Sequence, residues 1–96
     1  MLVLVTYDVS TVYPAGVKRL RRVAKTCVNY GIRVQKSVFE CNVPPYKWEF
    51  FKAELLKEYN PDEDSLRFYF LGSNWKRRVE HHGLAAPVEH DAPVII

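Results

Sequence analysis

Seven residues near the start of the chain, Leu2-Val3-Leu4-Val5-Thr6-Tyr7-Asp8, constrain its fold more than any other stretch. Four consecutive aliphatic side chains project alternately to the two sides of an extended strand, so both sides must find apolar neighbours. The segment therefore reads as a central strand, closed by the polar turn Asp8-Val9-Ser10-Thr11. It does not read as a secretory leader, because no basic residues precede the apolar run and Thr6, Tyr7 and Asp8 end it. No apolar stretch approaches the roughly 20 residues of a membrane span. A cytoplasmic protein is expected, with no membrane partner and with Cys27 and Cys41 as reduced thiols.

Around this strand the pattern alternates. Pro14 suits the first turn of a helix, where its missing N–H costs nothing. Ser10 or Thr11 is the expected cap, and Gly31 the expected stop. Val17, Leu20, Ala24, Cys27 and Val28 recur at helical spacing, with Lys18, Arg19, Arg21, Arg22 and Lys25 opposite them. Arg33-Val34-Gln35 and Val38 to Val43 read as two strands broken at Lys36-Ser37. Pro44-Pro45 opens a second helix, whose apolar stripe is Trp48, Phe51, Leu55, Leu56 and Tyr59. Asn60 to Asp64 reads as a solvated loop. Ser65 to Leu71 is a strand with Leu66, Phe68 and Phe70 on one side, and a further strand or turn spans Trp75 to His82. The order is β-α-β-β-α-β, an α+β, ferredoxin-like arrangement with one antiparallel sheet and both helices on one face.

The 96 residues make one domain, 1–96. Val94-Ile95-Ile96 is too short to form a core and would be a hazard as an exposed edge. The segment 84–96 is therefore expected to be a C-terminal β extension that pairs with a sheet edge of a partner subunit. Charge is uneven: residues 1–48 carry +6, residues 49–96 carry −3, and the whole chain +3. A basic first half suits a polyanion, although a solvated helix face has the same composition. Two cysteines without suitably spaced histidines make a poor zinc site. His81 and His82, adjacent on a strand, point to opposite sides and do not share an ion, so with His90 they read as surface or dimer-interface residues. Neither a Ser–His–Asp nor a Cys–His catalytic pattern is visible, nor a Gly-rich phosphate loop. From its residue type and place alone, Asp8 reads as a turn aspartate bonded to the Val9–Thr11 backbone.

Four stretches together resemble the CRISPR-associated protein 2 family. They are the strand ending in Tyr7-Asp8 with Ser10 after it; the basic helix Lys18 to Lys25; Gly31-Ile32-Arg33-Val34-Gln35-Lys36-Ser37-Val38-Phe39-Glu40; and Asp64-Ser65-Leu66-Arg67-Phe68-Tyr69-Phe70-Leu71-Gly72. Trp75 to Gly83 and the Val94-Ile95-Ile96 ending resemble the subgroup of subtype I-C systems. Val9 to Gly16 shows no matching pattern.

The resemblance implies a symmetric homodimer acting in spacer acquisition. In that role the dimer bridges dimers of CRISPR-associated protein 1, the integrase, and binds double-stranded DNA. It also implies a metal-dependent endonuclease acting on DNA or single-stranded RNA, with Mg2+ or Mn2+ as cofactor. Asp8 becomes the catalytic residue and, from both subunits, the metal ligand, since magnesium takes one or two carboxylates and leaves other positions to water and phosphate. Arg33 is placed to hold a phosphate oxygen. Arg19, Arg21 and Arg22 are expected on DNA phosphates, and Lys76-Arg77-Arg78 is a second basic patch. Tyr7, Ser10, Ser37 and Phe39 are the remaining cleft residues: Tyr7 structural or with its hydroxyl near Asp8, Ser37 a hydrogen-bonding group or a strand break, Phe39 a base neighbour or a core residue. A toxin-like endoribonuclease and a non-catalytic nucleic-acid-binding adaptor are the alternatives.

Overall fold

The computed structural model describes residues 1–71 and 79–84. The elements are β1 (Leu2–Asp8), α1 (Pro14–Tyr30), β2 (Ile32–Gln35), β3 (Val38–Asn42), α2 (Pro45–Glu58), β4 (Ser65–Phe70) and β5 (Val79–Gly83). They form one antiparallel sheet in the order β2-β3-β1-β4-β5. β1 lies at its centre, and the β-α-β-β-α-β order is the one expected. The expected C-terminal extension 84–96 is described only at Leu84, whose N–H donates to the Asp64 carbonyl at 3.0 Å; its expected pairing across a dimer, the Lys76-Arg77-Arg78 patch and His90 fall outside the described residues.

Period-two alternation assigns every strand residue to a face. Val3, Val5 and Tyr7 of β1, Phe39 and Cys41 of β3, and Leu66 and Phe68 of β4 are buried, in one core with Val23 and Cys27 of α1 and Trp48, Phe51 and Leu55 of α2. Aromatic packing welds the second helix to the sheet and to the first helix: the Trp48 ring meets Phe68 of β4 edge-on at 4.9 Å and Phe70 at 5.5 Å, and Tyr30 at the end of α1 stacks on Phe51 of α2 at 4.5 Å. Such pairs contribute about 0.5–1.5 kcal/mol each beyond their area.

The other side of the sheet carries Leu2, Leu4, Thr6 and Asp8 of β1 with Ser65, Arg67 and Tyr69 of β4 and Val79 and His81 of β5. No helix covers it. Leu2 is exposed and Leu4 half-buried, so the two-sided burial expected of β1 is met on one side only within a single chain.

Three local expectations change. Tyr13, not Ser10 or Thr11, is the N-cap of α1, and it makes no side-chain cap bond. Val17 and Val28 lie exposed, while Gly16, Val23 and Thr26 join Cys27 on the buried side of α1, a rotation of the inward stripe away from the one the apolar spacing gave. Gly31 ends α1 in extended rather than left-handed backbone; it is needed because a Cβ there would collide with Cys41 Sγ and the Glu40 carbonyl. Gly83 is the one described residue whose backbone demands glycine, with φ +101° and the Asp64 carbonyl where a Cβ would stand.

Candidate active site

Asp8 is the last residue of the central strand, and its even position turns it to the helix-free face, where it is exposed. Among the described residues its carboxylate has no hydrogen-bond or ion-pair partner, so the turn-aspartate reading, with bonds to the Val9–Thr11 backbone, is not what the structure shows. Directly across from it on β4 is Ser65, and across from Ser65 on β5 is Gly83. The Ser65 hydroxyl lies 2.9 Å from Nε2 of His81. Arg67 pairs with His81 in the next row and is the nearest positive side chain in the register. Burial, then Arg67 and His82, hold His81 below the usual imidazole value of 6.5 against a raising backbone hydrogen bond at Leu84.

The turn after Asp8 is held by a buried carboxylate that the sequence reading placed in a solvated loop. Asp64 is fully buried. It accepts from the backbone N–H of Ser10 at 3.0 Å and of Asn60 at 2.8 Å, and from Arg19 Nε at 2.9 Å. Arg19 also reaches Glu63 at 2.9 Å. Burial pushes the Asp64 carboxyl up, but the Arg19 guanidinium and the two backbone donors outweigh it and hold it below its ordinary value. One ion pair thus ties α1, the α2–β4 loop and the turn that carries Asp8.

This corrects the reading of Arg19 as an outward phosphate contact. Its side chain is 12% exposed and its guanidinium is committed to Asp64 and Glu63. Arg21 and Arg22 are exposed as expected, and Lys18 and Lys25 join them one turn to either side.

The expected cleft around Asp8 is divided between the two faces of the sheet. Tyr7 points into the helix side, where its ring stacks with the fully buried Phe39 at 6.2 Å. Its hydroxyl donates to the Lys36 carbonyl and not toward Asp8. Burial pushes the Tyr7 phenol up, and the nearby Arg33 guanidinium only partly offsets this. Arg33 is exposed, with its guanidinium 5.1 Å over the Phe39 ring. Phe39 is therefore a core residue and a platform for Arg33, with no surface to offer a base. The Ser37 carbonyl takes the Tyr7 N–H, which makes Ser37 part of the strand break. Ser10 acts through its backbone on Asp64. The reason for the split is the strand period: Tyr7 and Asp8 are neighbours in the chain and so project oppositely. The sequence reading gave Ser65 and Asp64 no site role and took His81 as a surface or dimer-interface residue; their signal is the β1–β4–β5 register and the fold around Asp64, which no local pattern contains.

One chain supplies one carboxylate here. Among the described residues no group of three or more His, Cys, Asp or Glu side chains could hold a metal. Among them, too, no helix is long and apolar enough to cross a membrane.

Fold and site together define a small α+β protein of ferredoxin-like topology with a lone exposed acid at the end of its central strand. Residues 1–79 match the family model for CRISPR associated protein Cas2, and the chain belongs to that family. It is 62% identical over 96 residues to the CRISPR-associated endoribonuclease Cas2 of Chlorobaculum tepidum, covering all of both chains. It is 51% identical over 96 residues to the protein of the same description from Nitratidesulfovibrio vulgaris, covering 100% of this chain and 94% of the other. Among solved structures, the crystal structure of Streptococcus pyogenes Cas2 at pH 6.5 superposes with a TM-score of 0.70 at 60% identity, covering 83% of this chain and 96% of that one.

Proposed function

We propose that this chain is a divalent-cation-dependent phosphodiester endonuclease working as a two-fold homodimer, with Asp8 of each subunit at its centre. The observation that carries the reading is the exposed Asp8 on the sheet face that no helix covers. Leu2, Leu4, Tyr69, Leu71 and Val79 share that face, partly or fully exposed, an apolar surface that a second copy would cover. Around a two-fold axis the same patch meets itself, and two Asp8 carboxylates can converge. Together they fit Mg2+ or Mn2+, which take one or two protein carboxylates and leave the other positions to water and substrate phosphate. A cation held there would polarise the scissile phosphate and lower the pKa of a bound water. Asp8 contributes charge and position, and Asp64, through Ser10, fixes the turn beneath it.

The names of relatives, endoribonuclease for the two described above and endonuclease for one from Halalkalibacterium halodurans, support nuclease activity, with RNA the first substrate to test. The test is cleavage of single-stranded RNA and double-stranded DNA with Mg2+, Mn2+ or EDTA. Cleavage with either cation and none in EDTA is expected; equal cleavage in EDTA, or none at all, overturns the proposal.

We also assign to the dimer the holding of double-stranded DNA in spacer acquisition, as the bridge between dimers of CRISPR-associated protein 1. What supports this is the exposed basic ridge Lys18, Arg21, Arg22 and Lys25 on α1, which offers phosphate contacts without base reading. Arg21→Glu with Arg22→Glu should weaken binding to duplex DNA at least about tenfold at low salt. The same variant should flatten the slope of log K against log salt by roughly 0.9 per lost contact. A fluorescence-anisotropy titration at several salt concentrations measures both, and unchanged affinity and slope would remove the ridge from the interface.

A further inference from the structure

The Asp8–Ser65–Gly83 row is the last of the sheet register, at the rim of the helix-free face. Three chemically distinct side chains meet there: a carboxylate on β1, a hydroxyl directly opposite on β4, and an imidazole on β5 hydrogen-bonded to that hydroxyl at 2.9 Å. We propose that Ser65 and His81 form a proton relay serving phosphodiester hydrolysis beside Asp8, with the Ser65 hydroxyl contacting the attacking water and His81 accepting the proton through it.

The inference rests on the nuclease reading of Asp8 and adds residues to it. Cross-strand partners stand about 4.5–5.5 Å apart at Cβ, enough room for one water between the Asp8 carboxylate and Ser65 Oγ. As the water oxygen bonds to phosphorus, its proton passes to Ser65 Oγ and the Ser65 proton passes to His81 Nε2. The phosphorus–oxygen bond to the leaving sugar breaks, and the leaving oxygen keeps the electron pair and takes a proton from solvent. Products are a phosphomonoester and a hydroxyl, and His81 returns its proton to solvent. A hydroxyl hydrogen-bonded to an imidazole is the recurrent arrangement for such transfers, and here the Ser65–His81 pair supplies it. Arg67 beside His81 and burial of the ring favour the neutral, accepting form at neutral pH. His82, by contrast, points to the helix side and pairs with Glu80 at 2.7 Å, so it takes no part.

The experiment compares wild type, Asp8→Ala, Ser65→Ala, Ser65→Thr, His81→Ala and the Ser65→Ala/His81→Ala double variant on single-stranded RNA and double-stranded DNA with Mn2+. Ser65→Ala and His81→Ala should each lower kcat about a hundredfold with KM little changed. The double variant should be no slower than either single, because the two groups act as a unit. Ser65→Thr, which keeps the hydroxyl on a strand, should stay near wild type, and added imidazole should restore rate to His81→Ala. Multiplicative losses, loss of rate only alongside loss of folding, or wild-type kcat in both single variants overturn the relay. In the last case Asp8→Ala still being inactive shows that the nuclease reading stands without it. A wild-type protein that cleaves neither substrate overturns both.

Discussion

Asp64→Ala is expected to lower the stability of the folded chain by about 3–5 kcal/mol, the usual cost of removing one partner from a buried ion pair. For a domain of this size that is a fall in Tm of at least about 12 °C. The size follows from what is orphaned. Arg19 would keep only Glu63, and the N–H groups of Ser10 and Asn60 would lose their acceptor in a place with little access to water. Asp64→Asn should fall between, since an amide oxygen replaces one acceptor and none of the charge. Arg19→Met with Asp64→Leu should recover part of the loss, because apolar groups of similar volume avoid leaving one charge alone. The pH dependence has a definite sign. The Asp64 carboxyl is held below its ordinary value of 3.8 in the folded state, so its contribution is complete above that value and is lost as pH falls below it. Thermal melts between pH 3 and 7 should therefore converge for wild type and Asp64→Asn at the acid end. Equal stability of Asp64→Ala and wild type at pH 7 would show that the pair is not structural.

How far the sequence anticipates this protein depends on whether a property is local. The central place of β1, both helices, the strand break at Lys36-Ser37 and the inward aromatic stripe of α2 follow from apolar periodicity and from where proline can stand. The resemblance to the family rests on contiguous stretches and is matched by the family model over residues 1–79. The readings that fail involve two elements distant in the chain. Arg19 belongs by spacing to a basic ridge, and only the fold brings the acid Asp64 beneath it, 45 residues away. Asp64 sits among Asn60, Pro61, Asp62 and Glu63, so composition marks it as solvated; three hydrogen-bond donors from separate segments make its burial possible. The supposed cleft fails for a simpler reason. Tyr7 precedes Asp8 in the chain and Phe39 pairs with Val5 on the adjacent strand, and the pleat turns both into the core, away from the face that carries Asp8. Val17 and Val28 show the limit of helical spacing, which finds an apolar stripe without fixing which edge of it meets the sheet.

Asp8→Ala should leave the fold alone and remove cleavage. The side chain is exposed, and among the described residues it makes no hydrogen bond or ion pair, so stability should change by no more than about 0.5 kcal/mol. In the proposed dimer the two carboxylates lie near each other and repel when no cation is bound, so the alanine dimer should dissociate no more readily than wild type. Activity is different, because in the proposed mechanism charge at the reacting phosphate is what this residue supplies, and no other described acid stands at the rim of that face. The rate with Mg2+ or Mn2+ should fall roughly a thousandfold or more. Asp8→Asn separates charge from shape: it preserves the side-chain outline and should be nearly as inactive. Duplex DNA binding through the α1 ridge should persist in both variants, since that surface belongs to a helix on the other side of the sheet. Measured together, melting temperature, sedimentation, cation-dependent cleavage and DNA affinity divide the molecule into a catalytic rim and a binding ridge. Unchanged cleavage by a well-folded Asp8→Ala would take the chemistry away from this carboxylate and leave the chain as a nucleic-acid-holding dimer.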